Sequence, residues 1–279
     1  MGENGLRVDV EDADNLGPFV TYDGALTAIQ TFLTEGASEL ANAGSEFAFV
    51  LSSGFDGLNE PATFLEFNRA IAARVSVYQG DYTTAAQNLA ASFHNPASPL
   101  TDGAYHVFSA TGLDVLNPVF FAPGSSGELR VAHPSYIDDA EAGDTRLDKV
   151  IIRSDTAFQD DLSGNYDVFV YKTNVDPIPI IRNEELVLID AEIKAMDNDP
   201  GGAVAAIDVV RLAAGLPAYT GGTTQADLMD EIVMQRRYSL YGEGHRWVDM
   251  RRLGRLGELP IDRAGDDVWD RFPIPANEQ

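Results

Sequence analysis

The chain has 279 residues, 44% hydrophobic and 23% charged, enough apolar content for one large core or two ordinary ones and too much for wholesale disorder. With 44 Asp and Glu against 19 Lys and Arg, its formal charge is -25, a field that repels phosphate backbones and makes nucleic acid an unsuitable partner. There is no cysteine, which removes disulfides, thiolate metal sites and cysteine nucleophiles, and no stretch nears the roughly 18 apolar residues of a spanning helix.

The only lysines are Lys149, Lys172 and Lys194, and so acidic and lysine-poor a surface matches the solvation demands of concentrated salt, giving the expectation of a halophilic source. Leu6 to Leu16 is acidic and aperiodic and reads as an arm. From Tyr22, Ala25, Ile29, Phe32, Leu33 and Leu40 share one helical face, closed by Gly44. Ser45 to Glu60 reads as a loop, with a faint alternation of oxygens over Ser53–Glu60 that falls short of a full calcium-ligand run. A helical hairpin follows. Phe64, Phe67, Ile71, Val75 and Tyr78 form one stripe, Gln79-Gly80-Asp81 the turn, and Tyr82, Ala85, Leu89 and Phe93 the second stripe, with alanines that permit close approach. This is the pattern of a tetratricopeptide-like unit.

Helical periodicity disappears over about 95–180, where Pro, Gly, Asp and aromatic residues dominate. Asn117–Ala122 and Tyr166–Tyr171 read as short strands inside this irregular insert. A second hairpin pairs the stripe Leu186, Ile189, Ile193 and Met196 with Val204, Ile207 and Val210 across Asp197–Gly201. Thr224 and Asp227 then form a capping box for a helix carrying Leu228, Ile232 and Leu240. Glu243 to Leu253 reads as a further short helix ended by Gly254, and the tail with Trp269 and Phe272-Pro273-Ile274-Pro275 as extended and proline-locked.

No enzyme signature emerges. Adjacent acids such as Asp138/Asp139, Asp160/Asp161 and Asp266/Asp267 are expected in so acidic a chain and read as solvated surface. His94, His106, His133 and His245 lack zinc spacing, so no metal site is expected, and His245 reads as packed within its motif. No nucleophile elbow, phosphate-binding loop or dinucleotide fingerprint is present.

The most specific segment is Met234–Gly254, with Arg236-Arg237, then Glu243-Gly244-His245-Arg246-Trp247, then Asp249 and Arg251-Arg252-Leu253-Gly254. It resembles the C-terminal signature of the SusD/RagB family. Further segments resemble the family in order and spacing: Arg74 to Phe93, Asp144 with Arg146, Ile180–Glu192, Asp208–Pro217 and Phe272–Pro275. Asn117–Phe121 departs from it in carrying Pro118 where members have Glu. The resemblance covers nearly the whole chain.

It implies a mainly α fold of tetratricopeptide-like helical hairpins, at about 21–94 and 183–254, flanking the irregular insert of about 95–180. The whole of 1–279 then forms a single domain whose first helices, signal peptide and lipidated cysteine precede this stretch. It further implies a non-catalytic outer-membrane, cell-surface lipoprotein. Such a protein captures oligosaccharide or peptide for a SusC-like TonB-dependent transporter and needs no cofactor, calcium being conceivable but unsupported. A helical-repeat protein-interaction module is the alternative.

Within the motif, Arg236, Arg237, Glu243, Trp247, Asp249 and Arg252 are expected to be architectural. Glu243, Arg246, Asp249 and Arg252 are spaced for an i,i+3 ion-pair ladder with Trp247 packed inward. Ligand contact calls for exposed aromatic faces. Tyr105, Tyr136 and Tyr166, each flanked by Gly, Asp, Pro or Asn, are the expected ligand residues on the insert.

Overall fold

The computed structural model describes residues 5–273; Ile274 and Pro275 of the closing motif, and residues 1–4, lie outside them. Helices dominate. α1 (Tyr22–Asn42) starts at Thr21, whose hydroxyl accepts the Gly24 N–H at 3.1 Å. α2 (Pro61–Gln79) opens on Pro61 with a Glu60–Thr63 capping box and stops at Gly80, whose φ of 72° turns the chain sharply. Asp81 at once caps α3 (Tyr82–Ala90), accepting the Thr84 N–H at 3.0 Å. Ala70, Ala73 and Ala85 are fully buried between α2 and α3, so the expected alanine contact is what lets them close.

The second hairpin is α5 (Asn183–Met196) with α6 (Pro200–Ala213), followed by α7 (Gln225–Ser239) and the short α8 (Arg246–Arg252). α7 carries the expected capping box, Thr224 with Asp227. α5 is the spine of the molecule. Its Leu186, Ile189 and Ile193 pack with α2 and α3, while Val187, Leu188, Ala191 and Ala195 pack with α6 and α7. The sequence stripe captured only the first of these faces, since a helix buried all round has no polar face to define the other.

α1 departs from expectation. Ala25 and Leu26 are buried, but Ile29 and Phe32 are exposed, Phe32 by 59%. α2 covers one side only, and part of that seam is polar: Gln30 donates to the Ala72 carbonyl at 3.0 Å and to Ser76 Oγ at 2.8 Å.

Between α3 and α5 the chain is irregular and holds α4 (Ser135–Asp138) and four further strands after the small pair β1 (Leu6–Arg7) and β2 (Phe19–Val20). β3 (Gly103–His106) pairs antiparallel with β6 (Ile178–Arg182), so Gly103 faces Arg182 and the excursion leaves and returns at one place. β4 (Val150–Gln159) and β5 (Leu162–Val168) form a bulged hairpin. The expected strand at Asn117–Ala122 is instead a turn. Asn117, nearly buried, donates its backbone N–H to the Asn174 carbonyl and its side chain to the Asp176 carbonyl, both at 2.8 Å. Of Tyr166–Tyr171, residues 166–168 lie in β5 and the rest beyond it.

Candidate functional site

A helix spine this buried has to satisfy its own charges. Glu185 and Glu192 on α5 are fully buried. Arg74 from α2 meets Glu185 with Nε at 2.6 Å and spans to the Ile180 carbonyl at 2.7 Å. Burial pushes the Glu185 carboxyl up, but Arg74 and His245 outweigh it and hold it at about 2. His245 Nε2 lies 3.8 Å from that carboxylate, and burial lowers its own pKa. Glu192 takes Arg252 Nη2 at 2.7 Å and the Tyr82 hydroxyl at 3.1 Å. Arg252 also reaches Asp249 at 3.0 Å, whose second oxygen takes Arg236 at 2.7 Å.

These contacts join α2, α3, α5, α7 and α8 through one charged joint. Glu243 takes no part in an i,i+3 ladder; it accepts from Arg182 at 2.8 Å, while Arg246 donates to the Val233 carbonyl at 3.4 Å. The reason lies at Gly242 and Gly244, whose φ values of 81° and 85° end helical geometry before Arg246. The Asp144/Arg146 element is a second joint. The pair closes at 2.7 Å, and Arg146 Nη1 reaches Gln235 and Ser239 of α7 at 2.7 and 2.9 Å. Arg237 pairs with Asp139 at 2.8 Å. Lys149 donates to the Tyr238 carbonyl at 2.9 Å at the end of α7, and burial lowers its pKa to about 8.

The three expected ligand tyrosines occupy separate elements, and no ring contact joins them among the described residues. Tyr136 has to be corrected. It is only 2% exposed on α4, its ring 4.0 Å from that of Tyr241 and 5.0 Å from that of Tyr238, with its hydroxyl on the Arg146 carbonyl at 3.2 Å. Flanking Pro and Asp residues marked a turn, but the turn folds this ring inward. Tyr105 is half-buried on β3, its hydroxyl donating to the Thr101 carbonyl, and Tyr166 is half-buried on β5 opposite Ile152.

Ser135, His133 and Asp262 fall in a line, with His133 Nδ1 2.8 Å from Ser135 Oγ and Nε2 2.8 Å from Asp262. Two further bonds tie this group to the start of α4 and to α7. The same Nδ1 accepts the Ser135 backbone N–H at 3.1 Å, and Arg237 donates to Ser135 Oγ at 2.7 Å.

The exposed aromatic surface lies elsewhere. Trp247 does not pack inward; Met250 fills the core from α8, while Trp247 lies half-buried with Phe272 at 5.2 Å, its indole N–H on the Trp269 carbonyl at 2.7 Å. Trp269 and Phe272 are each 55% exposed. On the other side of Trp247, the Arg251 guanidinium lies 4.9 Å from the Trp247 ring and 4.6 Å from the Tyr22 ring. A cleft of about 550 Å³ opens beside it, with Thr21, Tyr22 and Asp23 on one wall and Arg251, Arg252, Asp270 and Arg271 on the other. It adjoins a shallower groove along Asp267–Pro273. Single aromatic residues far apart in sequence gave no signal of this band, since Tyr22 and Trp269 meet only through folding.

Paired helices locked by buried ion pairs, with a long irregular excursion between them, define a tetratricopeptide-like helical-hairpin protein. The model of the SusD family matches residues 142–268 of the chain. The chain is 28% identical over 157 residues to SusD-like protein P38 of Formosa agariphila, a match spanning 49% of this chain and 30% of that relative. Among solved structures, a SusD superfamily protein from Bacteroides vulgatus superposes with a TM-score of 0.67 at 16% identity, covering 99% of this chain and 71% of that one. Surface glycan-binding protein A from Bacteroides uniformis gives 0.62 at 14% identity, covering 91% and 62%.

Proposed function

We propose that this protein is a non-catalytic surface binding protein that captures an oligosaccharide and passes it to a SusC-like TonB-dependent outer-membrane transporter, being lipid-anchored at the cell surface in its full-length form. Support for the glycan comes from the match to the SusD family model and from the structural likeness to surface glycan-binding protein A of Bacteroides uniformis. The single observation that carries the placement is the solvent-facing band Trp269–Phe272–Trp247–Arg251–Tyr22 beside its cleft. Flat aromatic faces receive the C–H side of a pyranose ring, and nearby Asp and Arg groups exchange hydrogen bonds with hydroxyls.

The chain has two tryptophans, both in this band, so selectively excited tryptophan fluorescence reports on it alone. Titrating a panel of oligosaccharides should give saturable quenching, and Trp269→Ala should weaken binding about 10-fold or more, near 1.4 kcal/mol. If Tyr105→Ala or Tyr166→Ala weakens binding and Trp269→Ala does not, the site belongs on the insert. A product released from any oligosaccharide would contradict the non-catalytic reading.

A protein-docking module is the second reading. Its observation is the excursion tip at Leu113, Val115 and Leu116, three exposed apolar side chains held out by the buried Asn117. Silence across the sugar panel, with loss of transporter co-purification on Leu116→Asp, would favour it.

A further inference from the structure

We infer that the saccharide taken by this cleft carries an anionic group, a carboxylate or a sulfate ester; the inference rests on the capture reading above. The observation is the state of Arg251. Its neighbours in the motif are committed: Arg252 to Glu192 and Asp249, Arg236 to Asp249, and Arg255 to Asp230 and Glu258. Arg251 has rings 4.6 and 4.9 Å from its guanidinium carbon, from Tyr22 and Trp247, yet no carboxylate or carbonyl accepts from its N–H groups among the described residues. Stacking holds a guanidinium through its faces and leaves the edge, where all five donors lie, unused.

Arg251 thus offers a guanidinium edge at the wall of a cleft, and the acceptor that edge matches is a group with two oxygens in its plane. Asp23 and Asp270 line the same cleft and oppose an anion lying close to them. The anionic group therefore sits at the Arg251 edge, and the two aspartates accept hydroxyls from the remainder of the sugar. The far field of the protein also opposes the ligand, but at about 0.15 M salt it is screened within about 8 Å, whereas a contact pair persists.

The experiment uses the full chain in 0.15 M salt, with tryptophan fluorescence read against trigalacturonate and its methyl ester. A sulfated neutral trisaccharide forms a third arm that tells a carboxylate requirement from a general anion requirement. The acid should bind about 10-fold tighter than the ester. Arg251→Gln should bring the two within about 2-fold, and Arg251→Lys, which keeps the charge and loses the fork, should restore only part of the gap. Tyr22→Leu, which removes one stacking face together with the phenol hydroxyl, should narrow the ratio, and Tyr22→Phe, which loses only the hydroxyl, should leave it, in chains whose fold is checked by their melting curves. Equal binding of acid and ester overturns the charge preference and leaves capture standing. Absence of binding by all three, together with no hit on a neutral glycan panel, overturns both.

Discussion

Asp249 receives Arg236 on one carboxylate oxygen and Arg252 on the other, and all three side chains are nearly sealed from water. Removing the shared anion strands the buried Arg236 and leaves Arg252 to Glu192 alone, so Asp249→Ala should destabilise by about 3–5 kcal/mol in urea denaturation. Glu185 gives a second handle, through pH. Its carboxyl titrates at about 2 when folded, against 4.5 for the free side chain. A depressed carboxyl stabilises fully above the unfolded value and progressively less as pH falls towards the folded one. The melting temperature should therefore decline below about pH 4.5, and Glu185→Gln, less stable at neutral pH, should show a shallower acid slope. An unchanged slope would place the acid sensitivity elsewhere. At this scale the sequence revealed which residues carry charge but not whom they meet: Glu243 lay three residues from Arg246, yet its partner is Arg182, 61 positions away. Pairings across elements depend on packing that local spacing does not encode.

Among the elements, the break between α7 and α8 is set by two glycines whose surroundings differ. A Cβ on Gly244 meets nothing within 4 Å, whereas one on Gly242 comes 3.0 Å from Val170 Cγ2. Both have left-handed φ. Gly244→Ala should thus cost about 1–2 kcal/mol from backbone strain alone, and Gly242→Ala more, by the same denaturation assay. Equal losses would show that Val170 yields freely. Helix boundaries were the most legible feature of the chain, because caps are local chemistry: Gly80, Asp81 and the Thr224–Asp227 box all act where their types announce. The sheet pairs were hidden. β3 and β6 lie over seventy residues apart, and neither strand alternates cleanly. Tyr136 failed for a related reason, since turn-forming neighbours describe a backbone and not the direction of a ring. The band around Trp247 was missed because its members come from both ends of the chain.

For the whole molecule, the net charge of -25 resides largely on the surface, since the buried carboxylates Glu185, Glu192 and Asp249 each have an arginine. Unpaired surface repulsion is relieved by counter-ions, so thermal stability should rise from low to molar salt, and a flat response would count against adaptation to brine. The hairpins need no such help, for their contacts are apolar or internally neutralised. One feature of the architecture reaches further. The strand pair β3–β6 brings residue 103 against residue 182 and closes a neck, and the middle of the excursion is held again on α6 and α7 through Glu141–Arg211, Asp139–Arg237 and Arg146–Gln235. Closing a longer loop costs only about 0.6 kcal/mol for each doubling of its length. Such a neck behaves as a socket: the stretches of the excursion away from residues 136–149 can lengthen or shorten while the helices beneath keep their register. Length and sequence can therefore vary in those stretches with little penalty to the fold that carries them.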